Sequence, residues 1–572
     1  MPVALAVSIG CLCFALAGCS THTDVSVTGN TPAKYSHVWL TTQEVWFNTS
    51  ATAGPDDGGW VKFPLATATT VDLVTQSGGN LGGIVTGLKL APGTYSQLRL
   101  IPVDAAAPLA LSAQTAGALY NAEADYVDSA GTKHQLPLEL LNPDKGIGIK
   151  GSLKVAIGNV SAALGSVSTT TGTTGTTSNT TTTTPTTTPT TTTTTSFAIN
   201  IDGARDLTPF TYAAATATNG ILLSSHATAF DRSAAGAIQG QLTLTNLTGI
   251  SSAAGLPAIQ VSAESLSADG ARHVVVNSAP VHADGSFMVY PLATSSSSPA
   301  DYDLVIHGPG IATIIIKAVQ VTLGTTTTIK PVSVGTLIPR AASSYTANLR
   351  NASTAALPAG AEVAFYQTLA TSGEVPYLIE ASPIDPFNQV LADDQALSTG
   401  TLDSGTYSAS GASVTVASAA PAEGAGRYLV AASAPSFTDG SFTTIVSAPP
   451  PGATTPVPVT VSGLTLAPGA TFGSISASIT EATAGKYDHG ELLVTHDGAL
   501  VATAPLDAAL AQGAGAAITV NGVPSGTSAA LYYVAIRAWN SRDASGTLRR
   551  QSYPTAIDLR GSVAGTVQLT IN

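Results

Sequence analysis

The chain has 572 residues, of which 35 are acidic and 22 basic, a net charge of −13. Only 10% are charged, against about 25% in an average soluble protein, and 44% are hydrophobic, too many for a solvated chain without a core. The acidic balance argues against a nucleic-acid partner, because a polyanion requires a basic footprint, and the length suggests about four domains.

Val3 to Ala17 is an almost unbroken apolar run, too short to span a bilayer and suited to the apolar region of a secretory signal. It ends in Leu16-Ala17-Gly18-Cys19, followed by Ser20. Small residues before a Cys provide a cleavage point and a thiol for diacylglycerol. The segment 1–18 therefore resembles a bacterial lipoprotein signal peptide, with Cys19 the lipidation site. Met1-Pro2-Val3 carries no Lys or Arg, a departure from the pattern, and a start a few codons upstream is the expectation. Cys11 and Cys13 would leave with the signal, so the mature chain would have no disulfide and no Cys-based metal site. Several acyl chains hold a protein firmly where one does not. Ser20 lacks the Asp of an inner-membrane retention signal, which makes the outer membrane of the cell envelope the expected location, facing the periplasm or the surface.

Short alternating runs follow, such as Gln97 to Ile101, Gln239 to Leu244, Asp301 to Ile306 and Ala529 to Ile536. Turn signals separate them at Pro92-Gly93, Asp269-Gly270, Asp284-Gly285 and Asp497-Gly498. This spacing predicts an all-β chain of several tandem β-sandwich, immunoglobulin-like domains. Helical periodicity is weak, with one or two turns expected over Pro505 to Gln512.

The predicted domains are 19–235, 236–340, 341–448 and 459–572, with a Pro-rich linker at 449–458. Residues 168–196 interrupt the first of these with a low-complexity tract of 21 Thr in 29 positions. β-branched residues disfavour helix and the tract has nothing apolar to bury, so an extended, solvated loop that could accept O-glycans is expected.

Two resemblances refine this. Gly59-Trp60-Val61, Val71-Asp72-Leu73, Ala91-Pro92-Gly93-Thr94-Tyr95-Ser96-Gln97-Leu98-Arg99-Leu100 and the hairpin of Ala124 to Val127 with His134 to Leu138 resemble a bacterial lipoprotein family, domain of unknown function 4382. It implies an all-β domain with no assigned activity. Gly236 to Gly240, Asp284-Gly285-Ser286-Phe287 and Tyr302 to Ile306 resemble the carboxypeptidase regulatory-like, transthyretin-like sandwich, which implies a small immunoglobulin-like module.

No Gly-x-Ser-x-Gly elbow, His-Glu-x-x-His zinc motif or phosphate-binding Gly-rich loop ending in Lys-Ser or Lys-Thr is present. No catalytic residue, cofactor or metal is expected. The nearest approach to a metal set is Asp488-His489-Gly490-Glu491 with His496-Asp497-Gly498, where both pairs read as exposed turns. Asp56-Asp57 and Asp393-Asp394 read as turns too, since neighbouring carboxylates do not flank a glycosidic bond. Trp39, Trp46, Tyr35 and Phe47, then Trp539, Tyr532 and Tyr533, offer faces for a glycan. Tyr532 and Tyr533 point to opposite sides of one strand, which leaves one of them available for exposure.

These features predict a membrane-anchored, non-enzymatic envelope lipoprotein whose modules lie in a row and project outward. Its role would be binding, adhesion or structure, with a glycan or protein ligand. The competing class is a polysaccharide-processing hydrolase or its carbohydrate-binding accessory, and a third is a subunit of a larger envelope assembly. Oligomeric state is left open.

Overall fold

A computed structural model of the chain describes residues 22–32, 34–105, 107–127, 132–155, 194–212, 218–223, 227–243, 258–294, 298–333, 343–351, 360–387, 397–408, 413–434, 436–438, 440, 442, 444–447, 457–542 and 549–572. The signal segment with Cys19, Asp393-Asp394, residues 168–193 of the Thr tract and 449–456 of the Pro-rich segment lie outside the described residues.

The fold is all-β, as the alternation predicts. In the N-terminal domain the long strand Tyr35–Asn48 pairs with Val61–Asp72, Gly93–Pro102 and Ala122–Val127. Beyond Gly93–Pro102 the twelve-stranded sheet continues through Ile147–Val155, Thr228–Asp231, Thr194–Asp202, His22–Asn30 and Gly82–Lys89. On the other side it continues through Lys133–Glu139, Thr218–Leu223 and Leu207–Tyr212. The sheet wraps over its own apolar face: the Phe47 ring lies 5.7 Å from Tyr95 and 6.4 Å from Phe197, several strands away. The Thr tract is an insertion between consecutive strands, and its last residues, Thr194 to Ser196, pair in parallel with His22 to Asp24.

The second module packs Ala235–Thr243, Ser286–Ala293 and Thr326–Thr328 against a sheet of Gln260–Leu266, His273–Pro280, Ala300–His307 and Thr313–Val321. That sheet does not stop at the expected boundary. Thr313 to Lys317 pair in parallel with Leu402 to Thr406 of the third module, and Val305 and Ile315 share a core with Val363, Phe365 and Tyr428. Val457–Pro468 likewise pairs with Ser343–Asn351 and Phe437–Thr438, so it completes the third module. The C-terminal sandwich starts at Thr471 rather than 459. It consists of Thr471–Glu481, Ala516–Ser525 and Ala564–Ile571 facing His489–His496, Ala499–Pro505, Leu531–Trp539 and Arg549–Asp558. Asp507–Gln512 forms the expected short helix.

The modules do not lie in a row. The C-terminal sandwich returns to the N-terminal domain, and the second and third modules also touch it, through Phe230 against Tyr290 and Arg205 with Glu362. The physical reason is burial of a second apolar sheet face, that of Leu493 and Ala535.

Candidate functional site

Side chains alternate across a strand, so one face of Leu531–Trp539 carries Tyr532, Val534, Ile536 and Ala538, and the other Tyr533, Ala535 and Arg537. The first set fills the sandwich's own core. The second is also buried, leaving the strand covered on both sides from Leu531 to Ala538. Ala535 and Leu493, from the neighbouring strand, pack with Leu141, Phe210 and Leu222 of the N-terminal domain. The expectation that one of Tyr532 and Tyr533 is exposed is thereby corrected: they are 3% and 2% exposed. Trp39, Trp46, Tyr35 and Phe47 are buried as well, and Trp539 stacks on His489 with ring centroids 5.7 Å apart.

Around this apolar patch the seam is studded with charge. Arg99 and Arg537 are the two largest fully buried side chains among the described residues. Arg99 is ion-paired with Asp497 and donates through Nη1 to the Lys145 carbonyl at 2.9 Å. The Gly148 amide donates to the Asp497 carbonyl at 3.0 Å. Arg537 is ion-paired with the buried Glu139, which Arg550 also holds at 2.6 Å. The Arg537 guanidinium lies 5.2 Å from the Phe210 ring centre. Lys145 reaches Asp56 at 2.8 Å, and the Tyr533 hydroxyl donates to the same carboxylate at 2.8 Å. The Asn142 amide donates to Thr495 Oγ1 at 2.6 Å. Arg99 and Arg537 are thus each matched by a carboxylate from the opposing module, the condition for removing such charges from water.

The electrostatics follow from these partners. Burial alone would raise the Asp497 carboxyl, but His496 and Arg99 outweigh it and hold the group well below the usual carboxylate range. Burial disfavours protonated His496, yet Asp497 at 3.1 Å from Nε2 and the Leu531 carbonyl at 3.0 Å from Nδ1 raise it above 6.5. Both ring nitrogens face acceptors, and only the imidazolium satisfies both. Glu491 is pushed up to about 8 by burial, then by the nearby carboxylates Asp385, Asp507 and Glu139.

His489 and His496 do not converge on a metal. They occupy opposite ends of one strand, His489–His496, roughly 23 Å apart at strand rise, and His489 pairs with Asp507 at 2.9 Å. The expected exposed turn at His496-Asp497 is corrected, because Asp497 is sunk against Arg99. Asp56-Asp57 do form a turn, with the Gly54 amide donating to Asp57 at 2.9 Å, but Asp56 additionally joins the seam. Among the described residues no group of three His, Cys, Asp or Glu is arranged to hold a metal ion, and no helix is long and apolar enough to cross a membrane.

Beside the Glu139 ion pair a cleft of about 300 Å³ opens between the two modules, lined by Gln43, Asp104, Asp144, Arg550 and Ser552. Arg99, Arg537 and Glu139 were not singled out from the sequence. Their signal is a lone charge within an apolar strand, Leu98-Arg99-Leu100 and Ile536-Arg537-Ala538, in a chain otherwise poor in charge.

The molecule is therefore an all-β, multi-module protein held together by a buried, ion-paired seam. Residues 21–213 match the family model described as Domain of unknown function (DUF4382), in keeping with the N-terminal resemblance. No curated protein matches the chain. Among solved structures, the Bacillus anthracis TIE protein aligns at 8% identity over 97% of this chain and 73% of that one, with a TM-score of 0.14. A DUF3823 family protein from Bacteroides uniformis aligns at 12% identity over 57% and 99%, TM-score 0.12. The major pilin subunit of Bacillus cereus, BcpA, aligns at 10% identity over 59% and 99%, TM-score 0.12. Scores this low lend no argument about function.

Proposed function

We propose that the chain is a cell-envelope lipoprotein, tethered through acylated Cys19 to the outer membrane, with a non-enzymatic role in binding, adhesion or envelope structure. The observation that carries the non-enzymatic reading is the use of charge at the seam. Glu139, the most buried carboxylate of the seam cleft, is neutralised by two guanidiniums. A carboxylate held by guanidiniums on both oxygens has neither oxygen free to face a substrate. Arg99 and Arg537 are spent on joining modules rather than on facing a ligand. Protein or glycan ligands suit the charge-poor surface better than anionic polymers do.

The test is expression of the full chain in a bacterial host with membrane fractionation and intact mass. Acylation predicts a mature protein beginning at Cys19 with the added mass of diacylglycerol and a third acyl chain, and loss of both mass and membrane association in Cys19→Ala. A bare thiol, or a retained leader, would refute the anchor. A glycan array probed with the whole mature chain tests the ligand class.

A further inference from the structure

The strand Thr228–Asp231 is only four residues long and lies between two longer ones. It pairs Thr228 with Lys150 on one side and Asp231 with Phe197 on the other. Past Asp231 the chain turns away through Arg232–Ala234 into the second module, while its neighbours run on as Lys154 to Val155 and Thr194 to Ser196. The place of the missing strand is a cleft of about 560 Å³ lined by Lys154, Arg232, Thr194, Ser196 and Tyr290. Its one acid, Asp231, has Oδ1 engaged by the Ser233 amide at 2.9 Å and hydroxyl at 2.7 Å.

Lys154 and Arg232 are exposed, and among the described residues neither has an ion-pair partner. Lys89, also exposed and unpaired among the described residues, lies at the same end of the sheet, opposite His22. A chain with a net charge of −13 thus gathers three unmatched cations there. Two cations beside several hydroxyls form the donor set of a tetrahedral, multiply acceptor-bearing anion, that is, a phosphate.

The register says where this end points. His22 pairs directly with both Thr194 and Lys89, and Cys19 precedes His22 by three residues. Three residues span at most about 11 Å, a little more than the Debye length of about 8 Å in physiological salt. A lipid on Cys19 would hold the cleft against the headgroup layer.

We infer that this cleft binds phosphate, and specifically the phosphate of an anionic phospholipid headgroup, so that the anchored end docks on the membrane rather than hanging from it. The phosphate assignment rests on the cleft; its source in a headgroup rests on the proposed acylation of Cys19. The test uses the full mature chain carrying Cys19→Ser, which has no acyl acceptor, so its outcome is independent of whether native Cys19 is modified. Co-sedimentation is measured with vesicles of phosphatidylglycerol and phosphatidylcholine in equal parts, with phosphatidylcholine alone, and with inorganic phosphate as competitor. Each cation at an anionic surface is worth about fivefold in partitioning, so Lys154→Gln with Arg232→Gln is expected to lower binding to the mixed vesicles about thirty-fold. Lys133→Gln with Lys330→Gln, the same charge change on exposed residues elsewhere, is expected to lower it about twofold or less. Competition by inorganic phosphate supports the cleft as the phosphate site. Inorganic phosphate binding without vesicle binding would overturn the headgroup as source. Equal losses in the two double variants, or no binding to either probe, would overturn the proposal itself.

Discussion

Arg537 offers the sharpest test of the seam. Its side chain is 1% exposed and bonds Glu139, itself 5% exposed. Arg537→Met keeps most of the apolar stem and deletes the charge, leaving Glu139 with only Arg550, a residue 40% exposed. Breaking a buried pair by removing one partner costs about 3–5 kcal/mol, and the remaining contact with Arg550 places this case near the lower end. The lost contact with the Phe210 face adds about 0.5–2 kcal/mol. A penalty of about 3.5 kcal/mol raises the undocked population more than about three hundredfold. Hydrogen exchange on the full mature chain reads this directly at the Gly148 amide, which donates across the seam to the Asp497 carbonyl and is released by undocking. Replacing both partners, Arg537→Met with Glu139→Leu, removes the stranded carboxylate and is expected to recover most of the loss. The reasoning is refuted if the single variant costs less than about 1 kcal/mol, or if the double variant is no better than the single.

Gly148→Ala is expected to unseat the same module, because a Cβ there would lie 2.7 Å from Asp497 Cγ, tighter than packing allows; protease cleavage between modules should accelerate at unchanged secondary structure by circular dichroism. Docking should also depend on pH, measured as exchange protection of the Gly148 amide. The contribution of His496, raised by Asp497 and the Leu531 carbonyl against burial, is complete below 6.5 and is lost as pH rises through its raised value. That of Asp497, lowered by His496 and Arg99 against burial, is present above 3.8 and is lost as pH falls through its lowered value. Protection is therefore expected to be greatest between those limits. Glu491→Gln should stabilise the seam at pH 8 by on the order of 2 kcal/mol and flatten its alkaline decline, since burial raises Glu491 from 4.5 to about 8 and ionising it there works against the fold.

The strands were largely legible. Asp301 to Ile306 alternates and lies within Ala300–His307. Asp269-Gly270 and Asp284-Gly285 mark turns whose glycines have φ of +68° and +86°. Alternation reveals which side of a strand is apolar, yet it says little about whether the other side meets water or a second domain. Tyr533, Ala535 and Arg537 read as an outward face with one polar tip, and only the N-terminal domain's Leu141 and Glu139 make that face an interior. Pairings between distant segments, such as Thr313 to Lys317 with Leu402 to Thr406, leave no local trace either. A boundary at 340 therefore cuts through what is a continuous sheet.

Small-angle X-ray scattering of the mature chain bearing Cys19→Ser tests the folded-back arrangement most directly. A compact body of this length has a radius of gyration of about 24 Å, whereas four modules about 35 Å across set in a row would give about 40 Å. The docked C-terminal sandwich predicts a value near the first, moving upward in Arg537→Met. A wild-type value near the second would contradict the seam and return the molecule to an extended chain of modules.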